Sequence, residues 1–383
     1  MSVTAAQGFR AAGVAAGLKT SGLLDVALVV NDGPSRTGAG VFTANRVKAA
    51  PVVWTQQVVA DGRVDAVVLN SGGANACTGP AGFQDTHATA EWTADLLGVS
   101  ASDVAVCSTG LIGERLPVDA LMHGVDEAVP LLAPAGADDA ARAIMTTDTR
   151  PKQSVAVGDG FVVGGMAKGA GMLAPGLATM LAVLTTDADV PAELLDRVLR
   201  AATARTFDRV DSDGCMSTND TVLLLASGAS GAAPDEAALA AAVEQVCADL
   251  ARQLVDDAEG ASKTVAVTVT RAATEDDALV VARAVARSNL LKCALHGEDP
   301  NWGRVLAAVG TTDAAFEPDR LAVALNDVWV CREGTAAEDR GKVDLSGREV
   351  SVVVDLAAGR AEVTVWTNDL TAAYVHENSA YST

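Results

Sequence analysis

The sequence predicts an α/β protein built as a layered sandwich with mixed or antiparallel sheets. Short Val-rich runs alternate with amphipathic helical stretches along the whole chain, and hairpin-like pairs of runs argue against a purely parallel wrap. Apolar residues make up 49% of the 383 positions but aromatics only 3%, so the core is built from Ala, Val and Leu. That length suits one large domain or two medium ones and supports a substantial core. The composition excludes disorder, collagen and coiled coil.

In chain order, strand-like runs occupy Asp25–Asn31, Gly40–Thr43, Val52–Thr55, Ala66–Asn70 and Val104–Ser108, each rich in Val and closed by a turn-forming residue. Helix formers fill Phe83–Leu97. A second helix opens on the acids of Asp138–Met145, which suit the positive end of a helix dipole. Pro191–Thr206 places Leu194, Leu195, Val198 and Ala202 on one side. The helix opening at Pro234 and running to about Ala258 repeats Leu239, Val243, Val246, Leu250 and Leu254 at three- and four-residue steps. Asp276–Arg287 is a further helix. Strand-like runs return at Thr221–Leu225, Thr264–Thr270, Leu321–Leu325, Val350–Asp355 and Ala361–Trp366, the last two reading as a hairpin across Ala357–Arg360.

The chain carries 28 Lys plus Arg against 49 Asp plus Glu, a net charge of −21. Such an excess of acid opposes binding to a phosphate backbone and predicts no nucleic-acid partner. Six cysteines, at 77, 107, 215, 247, 293 and 331, never form a CxxC and read as reduced, mostly buried thiols of a cytoplasmic protein. The first ten residues contain no apolar segment of a signal peptide, and the run Gly171–Leu184 is broken by Pro175 and too short to span a bilayer. A soluble, cytoplasmic protein without membrane attachment is expected.

The familiar cofactor and catalytic loops do not occur: no GxxxxGK[ST], no GxGxxG after a strand, no HExxH and no GxSxG. The acidic segment Asp208–Asp220 fails the calcium-loop pattern and reads as a solvated or capping loop. The least ordinary stretch is Gly164–Asp187, where Lys168 and Thr179 stand alone among small and apolar residues after a glycine-rich approach. Composition and spacing alone make these a snorkelling lysine and a core threonine.

Lys168-Gly-Ala-Gly-Met-Leu-Ala-Pro175, followed by Leu177-Ala-Thr-Met-Leu-Ala182 and Thr185-Thr-Asp187, resembles the self-cleavage signature of the ornithine acetyltransferases, the ArgJ family. The likeness extends through Ala16–Lys19, Gly40–Pro51, Asn70–Asn75, Ser108–Gly113, Met145–Thr149, Ser217–Thr221, Asp257–Ala261, His296–Gly303 and Glu377–Thr383, essentially end to end. Leu18, where Ile is commoner, and Cys215-Met216, where Asp-Thr is frequent, depart from the pattern away from the chemistry.

The resemblance implies a layered αββα sandwich of the self-cleaving, N-terminal-nucleophile-like kind. It implies cleavage between Ala178 and Thr179, giving an α chain of residues 1–178 and a β chain of residues 179–383 that assemble as an α2β2 heterotetramer. Thr179 becomes the nucleophile, and its freed α-amine, with an ordinary pKa of about 7.7–8.0, serves as its own base. Thr109 and Gly110 supply the oxyanion hole. Thr146, Lys168, Thr179, Glu259, Asn378 and Thr383 form the substrate pocket, with Lys168 facing a carboxylate and Glu259 an ammonium.

The implied reaction moves acetyl from N2-acetyl-L-ornithine to L-glutamate through an acetyl-threonine, with no metal and no cofactor. Whether acetyl-CoA also serves as acetyl donor stays open. So do an amidase or aminopeptidase that passes the acyl group to water, and an uncleaved amino-acid-binding protein.

Overall fold

A computed structural model describes residues 2–174 and 180–380. The chain divides into two compact units, one comprising Met1–Asp208 and Cys215–Asp257, the other Arg209–Gly214 and Ala258–Tyr381.

In the first unit, β1 (Phe9–Val14), β2 (Val26–Asn31), β4 (Ala66–Ser71) and β5 (Val104–Thr109) form a sheet in the order β1-β2-β4-β5, with only β4–β5 parallel. A second sheet runs β3-β9-β8-β7-β6, from β3 (Thr37–Phe42), β6 (Lys152–Val157), β7 (Val162–Lys168), β8 (Leu181–Thr186) and β9 (Thr221–Ala226). Alternation along each strand assigns the faces. Ala27, Val29, Val67, Leu69, Ala105 and Cys107 of the first sheet share a core with Met166, Leu181, Val183, Leu223 and Leu225 of the second. The intervening residues Val26, Leu28, Val30, Val68 and Val106 pack outward on α2 (Gly79–Leu97) and α3 (Val118–Ala128).

The outer face of the second sheet is covered by α5 (Ala192–Arg205) and α6 (Glu236–Asp256). Leu239, Val243, Val246, Leu250 and Leu254 of α6 are all buried, and the Asp235 side chain caps it by accepting the Ala238 N–H at 2.8 Å. Close approach is possible because β7 carries Gly165: a Cβ there would lie 2.9 Å from Val246. The layers are therefore αββα, as expected. Two short helices, α1 (Ala50–Val58) and α4 (Ala137–Ala143), complete the unit.

The second unit contains one sheet in the order β13-β12-β11-β14-β10-β15. Its strands are β10 (Thr264–Ala272), β11 (Ala322–Leu325), β12 (Val328–Arg332), β13 (Thr335–Ala336), β14 (Glu349–Asp355) and β15 (Ala361–Asn368). The helices α7 (Glu275–Ala286) and α9 (Trp302–Val309) pack on it, α8 (Asn289–His296) adjoins α9, and α10 (Ala372–Ala380) ends the described chain. No helix among the described residues is long and apolar enough to cross a membrane.

Four expectations are corrected. Val52–Thr55 is helical, within α1: Pro51 sits in its first turn, and Val52, Thr55 and Val58 are buried at helical spacing. β14 and β15 are not a hairpin. β10 lies between them, parallel to β14 and antiparallel to β15, and the link crosses its end, with Ala358 and Gly359 N–H groups both donating to Arg271 O at 2.8 Å. A Cβ on Gly359 would sit 2.3 Å from Ala272 O, so the crossing requires glycine. The cysteines, all free, are only half buried: Cys107, Cys247 and Cys331 are inside, Cys77, Cys215 and Cys293 exposed. Finally, the segment Asp208–Asp220 is not simply solvated, because Asp211 and Asp220 are buried.

Candidate active site

The register of the second sheet sets the site. Lys168, at the end of β7, lies opposite Leu181 at the start of β8, and Leu181 lies opposite Thr221 of β9. Met180 is held on both sides of its backbone: its N–H donates to Asp220 Oδ1 at 3.1 Å, and its carbonyl accepts from Thr221 N at 3.1 Å. Ala178 and Thr179, the expected cleavage pair, lie outside the described residues.

Thr109 ends β5 in the facing sheet, and Gly110 follows it with φ +131°, where a Cβ would meet Gly73 N at 2.5 Å. Only glycine fits there. The turn is fixed by buried polar groups from three separated segments. Gly73 N donates to Thr109 O at 3.0 Å, Ser108 Oγ to Asn70 Oδ1 at 2.6 Å, and Asn70 Nδ2 to Gly73 O at 3.2 Å. Asn219 then donates its amide to Ala74 O at 2.6 Å and to Ser108 O at 2.8 Å. Satisfied networks of this kind hold a loop in one geometry.

Lys168 is not the snorkelling lysine that composition alone suggests. It is 1% exposed and donates from Nζ to Thr109 Oγ1 at 3.1 Å, joining the two sheets through side chains. Beside it, Asp148 acts as a hub. Its Oδ1 accepts from Lys152 Nζ at 2.6 Å and from Gly169 N at 2.7 Å, and its Oδ2 accepts from Thr146 N at 3.0 Å. Burial pushes the Asp148 carboxyl up, but Lys168, Lys152 and the Gly169 N–H together outweigh it and hold the group below the usual carboxylate range. Lys152, wholly buried, also reaches Asp257 at 2.6 Å, and Asp257 accepts from the Thr149 N–H and hydroxyl. Lys19 is within electrostatic reach of Lys168 and Asp148; burial lowers its pKa.

Of the residues implied for the site, Thr109, Gly110, Thr146 and Lys168 are thus brought together in the first unit. Glu259 and Asn378 meet in the second, where Asn378 Nδ2 donates to Glu259 Oε2 at 2.9 Å. Thr383 lies outside the described residues. The implied set omits Asp148, Lys152, Asn219, Asp220 and Asp257. Each lies inside or beside a motif quoted for the family, so the signal was the motif; its structural members were passed over for its hydroxyls and its lysine.

A desolvated lysine on a buried hydroxyl, backed by a paired carboxylate at the mouth of two facing sheets, marks an enzyme site in an αββα scaffold. The family model "ArgJ family" matches residues 10–383. Curated relatives named "Arginine biosynthesis bifunctional protein ArgJ" are 69% identical in Streptomyces coelicolor, over 100% of both chains, and 60% identical in Mycobacterium tuberculosis, over 99% of this chain and 96% of that one. A crystal structure of ornithine acetyltransferase complexed with ornithine from Mycobacterium tuberculosis matches at 58% identity and a TM-score of 0.43, covering 47% of this chain and 96% of that one. The chain belongs to the ArgJ family and is an acyltransferase of arginine biosynthesis.

Proposed function

We propose that the chain transfers acetyl from N2-acetyl-L-ornithine to L-glutamate, after cutting itself between Ala178 and Thr179. The observation that carries the reading is the convergence of Lys168, Thr109 and Asp220 on the strand whose first neighbour, Met180, directly follows the expected nucleophile. Cleavage is compatible with the fold, since β7 and β8 pair from Val163–Thr186 to Lys168–Leu181 and would keep both chains in one sheet.

In the first half-reaction Thr179 Oγ attacks the acetyl carbonyl, its proton passing to the free α-amine of the same residue. Ornithine leaves and an acetyl ester remains; glutamate then enters and its amine takes the acetyl group. The tetrahedral oxyanion of each half is met by Thr109 and Gly110, whose loop is already fixed. Lys168 balances negative charge, and Glu259 and Asn378 bind the amino-acid end together with Thr146 and Thr383. We place the enzyme in the cytoplasm as an α2β2 assembly without cofactor, and acetyl-CoA is a candidate second donor.

The test is covalent. Mass spectrometry of the denatured protein should show two chains, with 179–383 gaining one acetyl group on exposure to acetylornithine alone, whereas Thr179→Ala should stay whole and inactive. Initial rates at several fixed glutamate concentrations should give parallel double-reciprocal lines. Intersecting lines with no acetylated chain would mean direct transfer, and steady acetate release without glutamate would mean hydrolysis.

A further inference from the structure

α10 carries Asn378, yet no hydrophobic core decides where this helix lies. None of its residues is buried, and Val375 is 59% exposed. Its place is set instead by polar contacts inside the second unit, between the loop 258–263 and the stretch 369–378. Three rungs join them. In the first, buried Asp369 accepts on Oδ1 the N–H groups of Ser262 at 2.9 Å and Lys263 at 2.8 Å. Its Oδ2 accepts the Ser262 hydroxyl and lies 3.0 Å from His296 Nδ1, at the end of α8. In the second, Thr371 Oγ1 donates to Gly260 O at 2.7 Å and accepts the Tyr374 N–H at 2.9 Å, so one hydroxyl grips the loop and caps the first turn of α10. The third is the contact of Asn378 Nδ2 with Glu259 Oε2 at 2.9 Å, steadied by a second bond from the same amide to Tyr374 O at 3.0 Å. Gly260 permits the approach: it has φ +61°, and a Cβ there would lie 2.3 Å from Tyr374 N.

We propose that Thr371 and Gly260 are positioning residues for substrate binding: they seat the first turn of α10 on the loop and so set how the Glu259 carboxylate and the Asn378 amide face the amino-acid end of each substrate. The proposal rests on the reading that Glu259 and Asn378 bind that end. Position 371 needs a hydroxyl, because it must donate to a carbonyl and accept an N–H at once; valine has the same shape and can do neither. Position 260 needs glycine, because any side chain meets backbone rather than a movable neighbour. Both act through the Glu259–Asn378 pair, on ground state and transition state alike. Their loss therefore weakens binding of acetylornithine and of glutamate together and leaves the chemical step alone.

The test compares Thr371→Val, Thr371→Ser and Gly260→Ala with wild type, and takes Glu259→Gln as the control on the pair itself. Thr371→Val and Gly260→Ala shift α10 by unrelated routes, a lost hydroxyl and an added methyl group. Each should raise KM for acetylornithine and for glutamate by about five- to tenfold with kcat within about twofold of wild type, and Thr371→Ser should bring both KM values back to within about twofold. Glu259→Gln should raise both at least as far. Wild-type KM values in Thr371→Val and Gly260→Ala, while Glu259→Gln raises them, overturn the proposal. So does a fall in kcat with KM unmoved, or a Thr371→Ser as impaired as Thr371→Val. If Glu259→Gln itself leaves both KM values unmoved, the reading of Glu259 as a substrate residue fails, and the proposal falls with it.

Discussion

The two approaches to β8 carry buried carboxylates in opposite condition. On the β7 side, Asp148 is paired on both oxygens, to a lysine and two backbone N–H groups, and Lys152 passes the pairing on to Asp257. On the β9 side, Asp220 has one oxygen on Met180, and the Ser217 and Thr43 hydroxyls bear on the carboxyl. Burial is as deep on both sides, so desolvation alone does not separate them. The difference is in partners: the first carboxylate is stabilised as a charge and ties segments together, while the second is disfavoured as a charge. Satisfied ionic networks serve as framework.

Breaking the framework side should have the largest effect. Lys152→Met leaves Asp148 and Asp257 buried without their shared cation. Loss of one partner from a buried pair costs about 3–5 kcal/mol. The variant should show a large fall in the urea midpoint and little mature protein. A midpoint within experimental error of wild type would mean that the cluster is not the anchor its geometry implies.

The next effect is on turnover rather than on stability. Thr109→Ala removes the hydroxyl that receives the Lys168 Nζ bond and alters the residue expected to meet the oxyanion. Removing one such donor lowers kcat by roughly 10²–10³-fold. Maturation should slow as well, because self-cleavage passes through a similar oxyanion, while the urea midpoint should move far less than in Lys152→Met. Full turnover would place the oxyanion hole elsewhere.

The sequence made the layered α/β class legible because Val-rich alternation and the α6 heptad-like pattern are local signals. It misled where local preference and tertiary context disagree. Val52-Val-Trp-Thr55 has strand-forming residues, yet Pro51 and burial at Val52, Thr55 and Val58 make it a helix. The β14–β15 link is short enough for a hairpin, but β10, nearly eighty residues upstream of β14, takes the place between them. No local pattern announces a strand inserted from so far away. Within the site, resemblance pointed to Thr109, Gly110, Thr146 and Lys168, which the fold does gather. It was silent on Asp148 and Asp220, because a carboxylate's role depends on what surrounds it, and in sequence Asp220 belonged to a segment that read as a solvated or capping loop.

The smallest expected effect is also the sharpest test of the comparison, since it predicts opposite signs. Asp148 has a folded pKa below its unfolded value of about 3.9. Its contribution to stability is therefore present above that value and is lost as pH falls through the folded pKa. Asp220 has a folded pKa well above the same reference. Its neutral form is the stable one, so its contribution is present below about pH 3.9 and drains away as pH rises toward the folded pKa. Measured in a Thr179→Ala background, so that every chain is whole and no new amine exists, Asp148→Asn should be less stable than its parent at pH 7, with the gap closing as pH falls below about 4. Asp220→Asn should instead gain on its parent as pH rises from about 4 toward neutrality, because the amide never has to be ionised or kept from ionising. Urea midpoints across that range give both curves. If the two variants track each other in the same direction, the carboxylates on the two sides of β8 are alike in kind, and the distinction between framework and poised acid fails.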